Sequence, residues 1–189
     1  MSLELLRQSL IDAPIVKKGD YSYVVHPITD GVPEIKPELL NEIIEEMLKR
    51  IEKCGSFDKI VTIEAMGIPI ASALSLKMKV PFVIIRKRSY GLSDEISIEQ
   101  TTGYSKSKLY INGLEKGDRI IIVDDVLSTG GTLSAIISTL KNLEVIIKGI
   151  FIVVDKGNTT KKINEKFKIK IDILAYIDIV DEKVVIKKI

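Results

Sequence analysis

Apolar residues recur along the chain at two spacings, and the alternation between them predicts the fold. Over 37–53, Leu39, Ile43, Met47 and Ile51 form a row at i+4 spacing beside Leu40, Ile44 and Leu48, the stripe of an amphipathic helix. Pro37 suits its first turn and Gly55 its stop. Residues 3–11 read as a shorter helix with Leu3, Leu6, Leu10 and Ile11 on one side, closed by Ala13-Pro14. Helices are also expected over 68–78, 131–142 and 159–167. Between them lie apolar runs with little polar alternation, over 58–63, 80–85, 145–154, 171–176 and 183–188, with Ile120 to Val123 at the centre and a further strand at Tyr21 to Val25. Continuous apolar strands alternating with helices mean an α/β protein, a mostly parallel central sheet covered by helices on both faces. Residues 15–20 lead into the first strand, and the turn-forming run His26 to Pro33 reads as a loop. Residues 86–107 are polar and mostly without periodicity; a loop of that length is usually functional or mobile, and strand character resumes at Leu109 to Ile111. There is no internal repeat and no linker, so residues 1–189 read as one domain with a sizeable core.

The centre of this pattern is also where the chemistry collects. Ile120 to Val123 run into Asp124 and Asp125, followed by Val126-Leu127 and then Ser128, Thr129, Gly130, Gly131 and Thr132 before the helix at 131–142. That is a buried strand, a loop of small residues and a helix start. The loop's amides and hydroxyls suit an anion, Gly130 and Gly131 permit positive φ, and the helix directs its positive end to the same point. Two carboxylates at the strand's carboxyl end suit neighbouring sugar hydroxyls or a metal bound to them. The stretch has no Gly-Lys-Ser/Thr and no G-x-G-x-x-G. An ordinary strand–helix turn also uses glycine, but two acids, three hydroxyls and two glycines rarely coincide without a ligand.

Composition narrows the classes. A hydrophobic fraction of 46% with 29% charged residues is that of a soluble globular protein, and a net charge of +2 argues against a dedicated nucleic-acid binder. No apolar run approaches the roughly 18 residues of a membrane span. The start Met1-Ser2-Leu3-Glu4-Leu5-Leu6-Arg7 lacks the pattern of a secretory leader. Cys54 is the lone cysteine, so no intrachain disulfide forms, and no His/Cys cluster offers a zinc site. A cytoplasmic protein is expected.

Three further stretches carry candidate residues. Glu64-Ala65-Met66-Gly67 is a second strand–loop–helix junction. Arg86-Lys87-Arg88 follows an apolar strand; cations there suit a diphosphate, and equally a solvated loop. Val153-Val154-Asp155-Lys156 ends a buried strand at the sheet's ligand edge; an ammonium only donates, so Lys156 would favour a carbonyl over an amine, unless it is one more surface lysine. His26, the single histidine, reads as a base-pocket residue or a satisfied structural one, the latter the more common.

Val123 to Thr132 resembles the phosphoribosyl-pyrophosphate (PRPP) signature of the type I phosphoribosyltransferases. The resemblance implies that Asp124 and Asp125 face the ribose hydroxyls and that Ser128 to Thr132 hold the 5′-phosphate. Glu64-Ala65-Met66-Gly67 resembles the diphosphate loop of adenine phosphoribosyltransferases, Glu-Ala-Arg-Gly, with Met66 in place of the arginine; Ala65, Met66 and Gly67 would bind diphosphate, often beside a strained or cis peptide. Arg86 and Lys87 match a basic stretch that contacts PRPP, in some members across a dimer interface. Residues 90–107 resemble a mobile closing loop. Tyr104-Ser105-Lys106 resembles the segment after the adenine enzymes' catalytic glutamate, with Gly103 in that glutamate's place. Human-type enzymes for 6-oxopurines carry an aspartate where this chain has Ser128. The general acid/base therefore stays unassigned, with Glu99 the nearest candidate. Lys156, with Val154, corresponds to the base-binding strand end.

The whole chain is similar to archaeal-type hypoxanthine/guanine phosphoribosyltransferases. The fold so implied is the three-layer type I phosphoribosyltransferase fold, with 1–35 and parts of the C-terminal region forming a small hood. The reaction implied is transfer of phosphoribose from PRPP to hypoxanthine or guanine, with Mg²⁺ reached by Asp124 and Asp125 indirectly through ribose or water. A homodimer is implied, with no membrane or nucleic-acid partner. Adenine or xanthine as the base, or a PRPP-sensing regulator on the same fold, are the alternatives.

Overall fold

The computed structural model describes residues 3–19, 21–102, 105–157 and 159–189. The chain runs α1 (Glu4–Ile11), β1 (Ile15–Lys18), β2 (Tyr21–Val24), α2 (Pro27–Asp30), α3 (Pro37–Ile51), a 3₁₀ turn (Glu52–Cys54), β3 (Lys59–Ile63), α4 (Gly67–Met78), β4 (Phe82–Ile85), β5 (Ile96–Thr102), β6 (Ser105–Ile111), β7 (Arg119–Leu127), α5 (Gly131–Asn142), β8 (Ile146–Asp155), α6 (Thr160–Phe167), β9 (Ile171–Val180) and β10 (Lys183–Lys188). A six-stranded sheet in the order β10-β9-β8-β7-β3-β4 forms the middle layer, parallel except for β10 at one edge.

The sheet buries both faces because its strands are apolar at odd and even positions alike. On β7, Ile121 and Val123 join Ile43, Met47 and Leu74 of α3 and α4 in one core, while Ile120 and Ile122 join Ile136 and Leu140 of α5 in the other. Helix α1 packs on α3 and β10, and Glu42 of α3 accepts from the amides of Leu5 (3.2 Å) and Leu6 (2.9 Å), capping α1. Among the described residues no helix is long and apolar enough to cross a membrane.

Two stretches expected as loops are ordered. Residues 86–107 contain β5 and the start of β6, an antiparallel hairpin whose Ile98, Leu109 and Ile111 are buried in the core shared with α5. The period-2 signal was present in Ile96, Ile98, Leu109 and Ile111, but polar residues between them diluted it. Gly103 and Tyr104 lie outside the described residues. Residues 27–30 form α2, with Pro27 in its first turn, His26 as N-cap and Gly31 (φ 71°) closing it. Residues 15–18 are likewise a strand, paired with β2.

The topology fixes where a ligand can sit. From β3 the chain moves outward to β4; from β7 it moves the other way, through β8 to β9. The order therefore reverses between β3 and β7, and the crevice at their carboxyl ends is the expected binding position of an open α/β sheet.

Candidate active site

At that crevice β7 carries Asp124 and Asp125 and runs on to Leu127, pairing with β8 as far as Asp155. The adjoining loop leads into α5, whose first helical bond is from the Ser134 amide to the Gly130 carbonyl (2.9 Å). Leading amides of a helix lack intrahelical acceptors and suit an anion. Gly130 suits its left-handed backbone (φ 74°), which other residues adopt only with strain, and a β-carbon there would also press on Ile163 Cδ1 at 2.7 Å.

The end of β3 supplies the second wall. The Glu64–Ala65 peptide is cis. Gly67 is required for space rather than for φ: a β-carbon would overlap the Thr62 hydroxyl and stand 2.7 Å from Asp124 Oδ1. Thr62 is fully buried, and its hydroxyl has no hydrogen-bond partner among the described residues. Glu64 ties this loop to the end of β4, accepting from the Lys87 amide (2.5 Å) and lying 3.0 Å from Arg86 Nε.

These elements enclose a cavity of about 590 Å³. Asp124, Asp125 and Val126 of β7 line it, together with Ser128, Thr129, Gly130 and Thr132 of the loop. Ala65, Met66 and Lys87 line it from β3 and β4, and Thr29 and Asp30 from α2. A second cavity of about 380 Å³ adjoins it, sharing Val126 and Ser128; Lys156 lines it with Val24 of β2 and Ile177 of β9. Lys156 Nζ donates to the Val24 carbonyl (3.2 Å) and lies 3.5 Å from Thr29 Oγ1.

The charges here are held against their preferences. Burial, then the charge of Asp125, pushes the Asp124 carboxyl well above the usual carboxylate range, and burial does the same to Asp125. Burial lowers the Lys156 ammonium, while Asp30 and Asp125 act to keep it charged. Ionisable groups so perturbed in a cleft mark a functional site. His26 takes the structural role: it is fully buried, its Nδ1 accepts from the Ile28 amide (3.2 Å), and its Nε2 is 2.9 Å from Ser9 Oγ. Burial, then Lys156, lowers its pKa to about 4.

Some expected positions lie elsewhere. Arg86 does not line the cavity; its guanidinium faces Glu64 while its backbone pairs with Tyr110 in both directions (2.8 Å each). Val154 is fully buried in the core with α3, and Val126, two strand positions from Asp124, lines both cavities instead. Gly131 opens α5 behind the lining residues. Glu99 is exposed on β5, 3.9 Å from Lys108, and lines neither cavity. Thr29 and Asp30 were missed as site residues because their place depends on how the N-terminal segment packs, which no local spacing encodes. Among the described residues no three His, Cys, Asp or Glu converge as a metal site.

Comparison with known proteins gives a consistent picture. Residues 34–184 match the model of the phosphoribosyl transferase domain family. A hypoxanthine/guanine phosphoribosyltransferase of Methanocaldococcus infernus is 52% identical over 182 residues, covering 96% of this chain and 99% of that protein. One of the same name from Methanothermobacter thermautotrophicus is 44% identical over 187 residues, covering 99% and 96%. Among solved structures, an adenine phosphoribosyltransferase from Thermoanaerobacter pseudethanolicus superposes with a TM-score of 0.75 at 25% identity, covering 93% of this chain and 99% of that one.

Proposed function

The chain belongs to the phosphoribosyl transferase domain family, and from that premise we propose that it transfers the 5-phosphoribosyl group of PRPP to hypoxanthine or guanine, giving IMP or GMP and pyrophosphate. The observation that carries this reading is the junction of two cavities at Val126 and Ser128, with the adjacent acids Asp124 (half-buried) and Asp125 (buried) and an anion loop on one side and the half-buried Lys156 on the other.

Each part has a task in that reaction. Ser128 to Thr132 and the start of α5 hold the 5′-phosphate, fixing the sugar through a group remote from the bond that breaks. Asp124 and Asp125 accept from the ribose hydroxyls and stabilise the positive charge that develops at C1′ as diphosphate leaves. The Ala65 to Gly67 backbone and Lys87 face the leaving diphosphate, with Arg86 steadying that wall through Glu64. Lys156 donates to the purine 6-oxygen; an exocyclic amine offers it no acceptor of comparable strength. Val24, at the β2 end, closes over the base, and we include it with 1–35 and the ends of β9 and β10 in a small hood on a single domain 1–189. The hairpin β5–β6, whose Leu109 lines the cavity, would exclude water that could otherwise capture the activated sugar.

The donor set also fits magnesium. Mg²⁺ keeps several waters and takes one or two carboxylates with substrate phosphates; Asp124 and Asp125 lining one cavity match that, reaching it through ribose or water. When bound, it neutralises charge on the leaving diphosphate. Homodimeric assembly in the cytoplasm belongs to the same proposal and is checked by sedimentation and cell fractionation.

The test is an assay of the four common purines against PRPP and Mg²⁺. We expect IMP and GMP to form with the highest kcat/KM and adenine to be the poorest acceptor. AMP or XMP as the preferred product overturns the base assignment, and no PRPP consumption with any base overturns the reaction. Salt-dependent nucleic-acid binding without turnover points to a regulator instead.

A further inference from the structure

The reaction requires a proton acceptor that neither the sequence nor the resemblance supplies. A free purine carries an N–H on its imidazole ring and the product nucleotide does not. As the N9 lone pair bonds to C1′, the C1′–oxygen bond breaks with its electron pair staying on diphosphate, and the proton on N7 must leave while the N–H electrons remain on N7.

We propose that the Asp30 carboxylate, on α2, is the base that takes this proton, and in the reverse reaction returns it. The inference rests on the transferase reading above.

Among the described residues five carboxylates line the two cavities: Asp30, Glu64, Asp124 and Asp125 the reaction cavity, and Asp178 the base cavity, where the Ile179 amide (2.9 Å) and Lys187 Nζ (2.7 Å) engage its two oxygens. Glu64 is engaged at both oxygens, with the Lys87 amide and Arg86. Asp124 and Asp125 lie on β7 and are taken by the ribose hydroxyls in the reading above. Asp30 comes from α2, which lines the reaction cavity and reaches toward Lys156 of the base cavity through Thr29. The Thr29 hydroxyl donates to Asp30 Oδ2 (2.5 Å) and lies 3.5 Å from Lys156 Nζ, so lysine and carboxylate are joined through one side chain. O6 and N7 are neighbours on one edge of a purine. A lysine that reads the 6-oxygen therefore requires the N7 acceptor beside it, and Asp30 is the carboxylate in that position.

The carboxylate is also held ready. The His26 amide donates to the same Oδ2 (2.9 Å), and no protein hydrogen bond to Oδ1 is made among the described residues. Gly31 seats the end of α2 on the diphosphate loop: a β-carbon there would stand 3.3 Å from Met66 Cε. The charges of Asp30 and Asp125 both act to keep the half-buried Lys156 an ammonium.

Asp30→Asn keeps the shape and an acceptor for the His26 amide while removing the base. With hypoxanthine we expect kcat/KM to fall about 100-fold or more, the usual scale of general-base catalysis. With 8-azahypoxanthine, whose triazole ring releases its proton more readily, the loss should be about tenfold smaller, since a better acid depends less on its acceptor. Asp30→Glu should recover part of the hypoxanthine rate, with PRPP affinity and Tm unchanged in both variants. Equal losses for the two bases, or a loss under about threefold with hypoxanthine, overturn the assignment. Should the Asn variant fail to fold, Asp30→Ser keeps a capping hydroxyl and carries the same expectations. Wild-type protein inactive with both bases instead overturns the transferase reading, whereas active wild type with an indifferent variant overturns only the role of Asp30.

Discussion

Strands β3 and β7 lie side by side, and their two ends treat charge in opposite ways. At the amino end, Asp58 receives Arg119 in a two-point contact (Nη2–Oδ1 2.6 Å, Nε–Oδ2 3.0 Å), and Lys59 meets Asp118 at 2.7 Å. The Arg119 hydrogen bonds hold the Asp58 carboxyl well below its ordinary range. At the carboxyl end of the same strands, Asp124 and Asp125 are adjacent and shifted upward by burial, and the Thr62 hydroxyl is buried without a partner among the described residues. One end is satisfied by its own side chains. The other is arranged for groups that the protein does not contain. Adjacent carboxyls held against their preference beside an unpaired buried hydroxyl make that crevice the candidate site.

The largest expected effect breaks the carboxyl end. Asp124→Asn with Asp125→Asn should lower kcat by about 10³-fold or more, through lost charge stabilisation at C1′. The fold should survive and Tm should not fall, because two like charges have been taken out of a buried place. A double variant with wild-type turnover removes the acids from the mechanism; one that unfolds shows they serve structure. Next is Lys156→Met, which leaves the 6-oxygen without a donor. A site built to hydrogen-bond a substrate group discriminates through that bond, so kcat/KM for hypoxanthine and guanine should fall by about 100-fold, with PRPP binding retained. Unchanged preference across the four purines would mean that the base is read elsewhere.

What the chain revealed in advance follows the same division. Strand and helix order was legible because apolar runs and i+4 rows are local. Asp124, Asp125 and Ser128 to Thr132 were legible together because one strand–loop–helix unit carries them all. Lys156 was legible only as a strand end; its reach to Val24 and Thr29 belongs to tertiary packing. Arg86 and Lys87 were indistinguishable as neighbouring cations, and only the position of Glu64 separates the paired one from the cavity-lining one. Val154 and Val126 are register partners on adjacent strands, and sequence could not tell which one faces the cavities. Asp30 stayed hidden inside a run of turn formers.

A smaller effect, read through pH, sharpens the contrast. His26 sits beneath the ligand end with its pKa lowered from 6.5 to about 4, chiefly by burial. Between those values the unfolded chain binds a proton that the folded chain does not, so stability falls as pH drops through the window. Asp124 and Asp125 have raised values, so their contribution has the opposite sign, with stability gained as pH falls through their folded pKa. His26→Asn keeps a capping side chain and removes the titration. Urea unfolding at pH 7 and 5 should show the wild type losing about 2 kcal/mol more than this variant. Parallel pH profiles would place the histidine in an environment where it charges freely.

The smallest expected effect comes from the amino end, and there a null result is the informative one. Asp58 and Arg119 make the best-formed ion pair between the two strands, with Arg119 also donating to Ser56 Oγ (2.8 Å), yet both side chains are about 40% exposed. Water and salt compete for such a pair, so its geometry overstates its worth. Asp58→Asn should lower Tm by no more than about 2 °C, with the difference shrinking in 1 M salt and kcat/KM unchanged. Among the described residues the carboxyl-end acids make no comparable pair, and their replacement should cost activity by orders of magnitude. If Asp58→Asn instead cuts turnover tenfold, β3 and β7 transmit strain along their length, and the two ends cannot be treated as separate devices. If it is silent, good pairing at one end and thwarted pairing at the other stand as independent signatures of stability and of function on the same two strands.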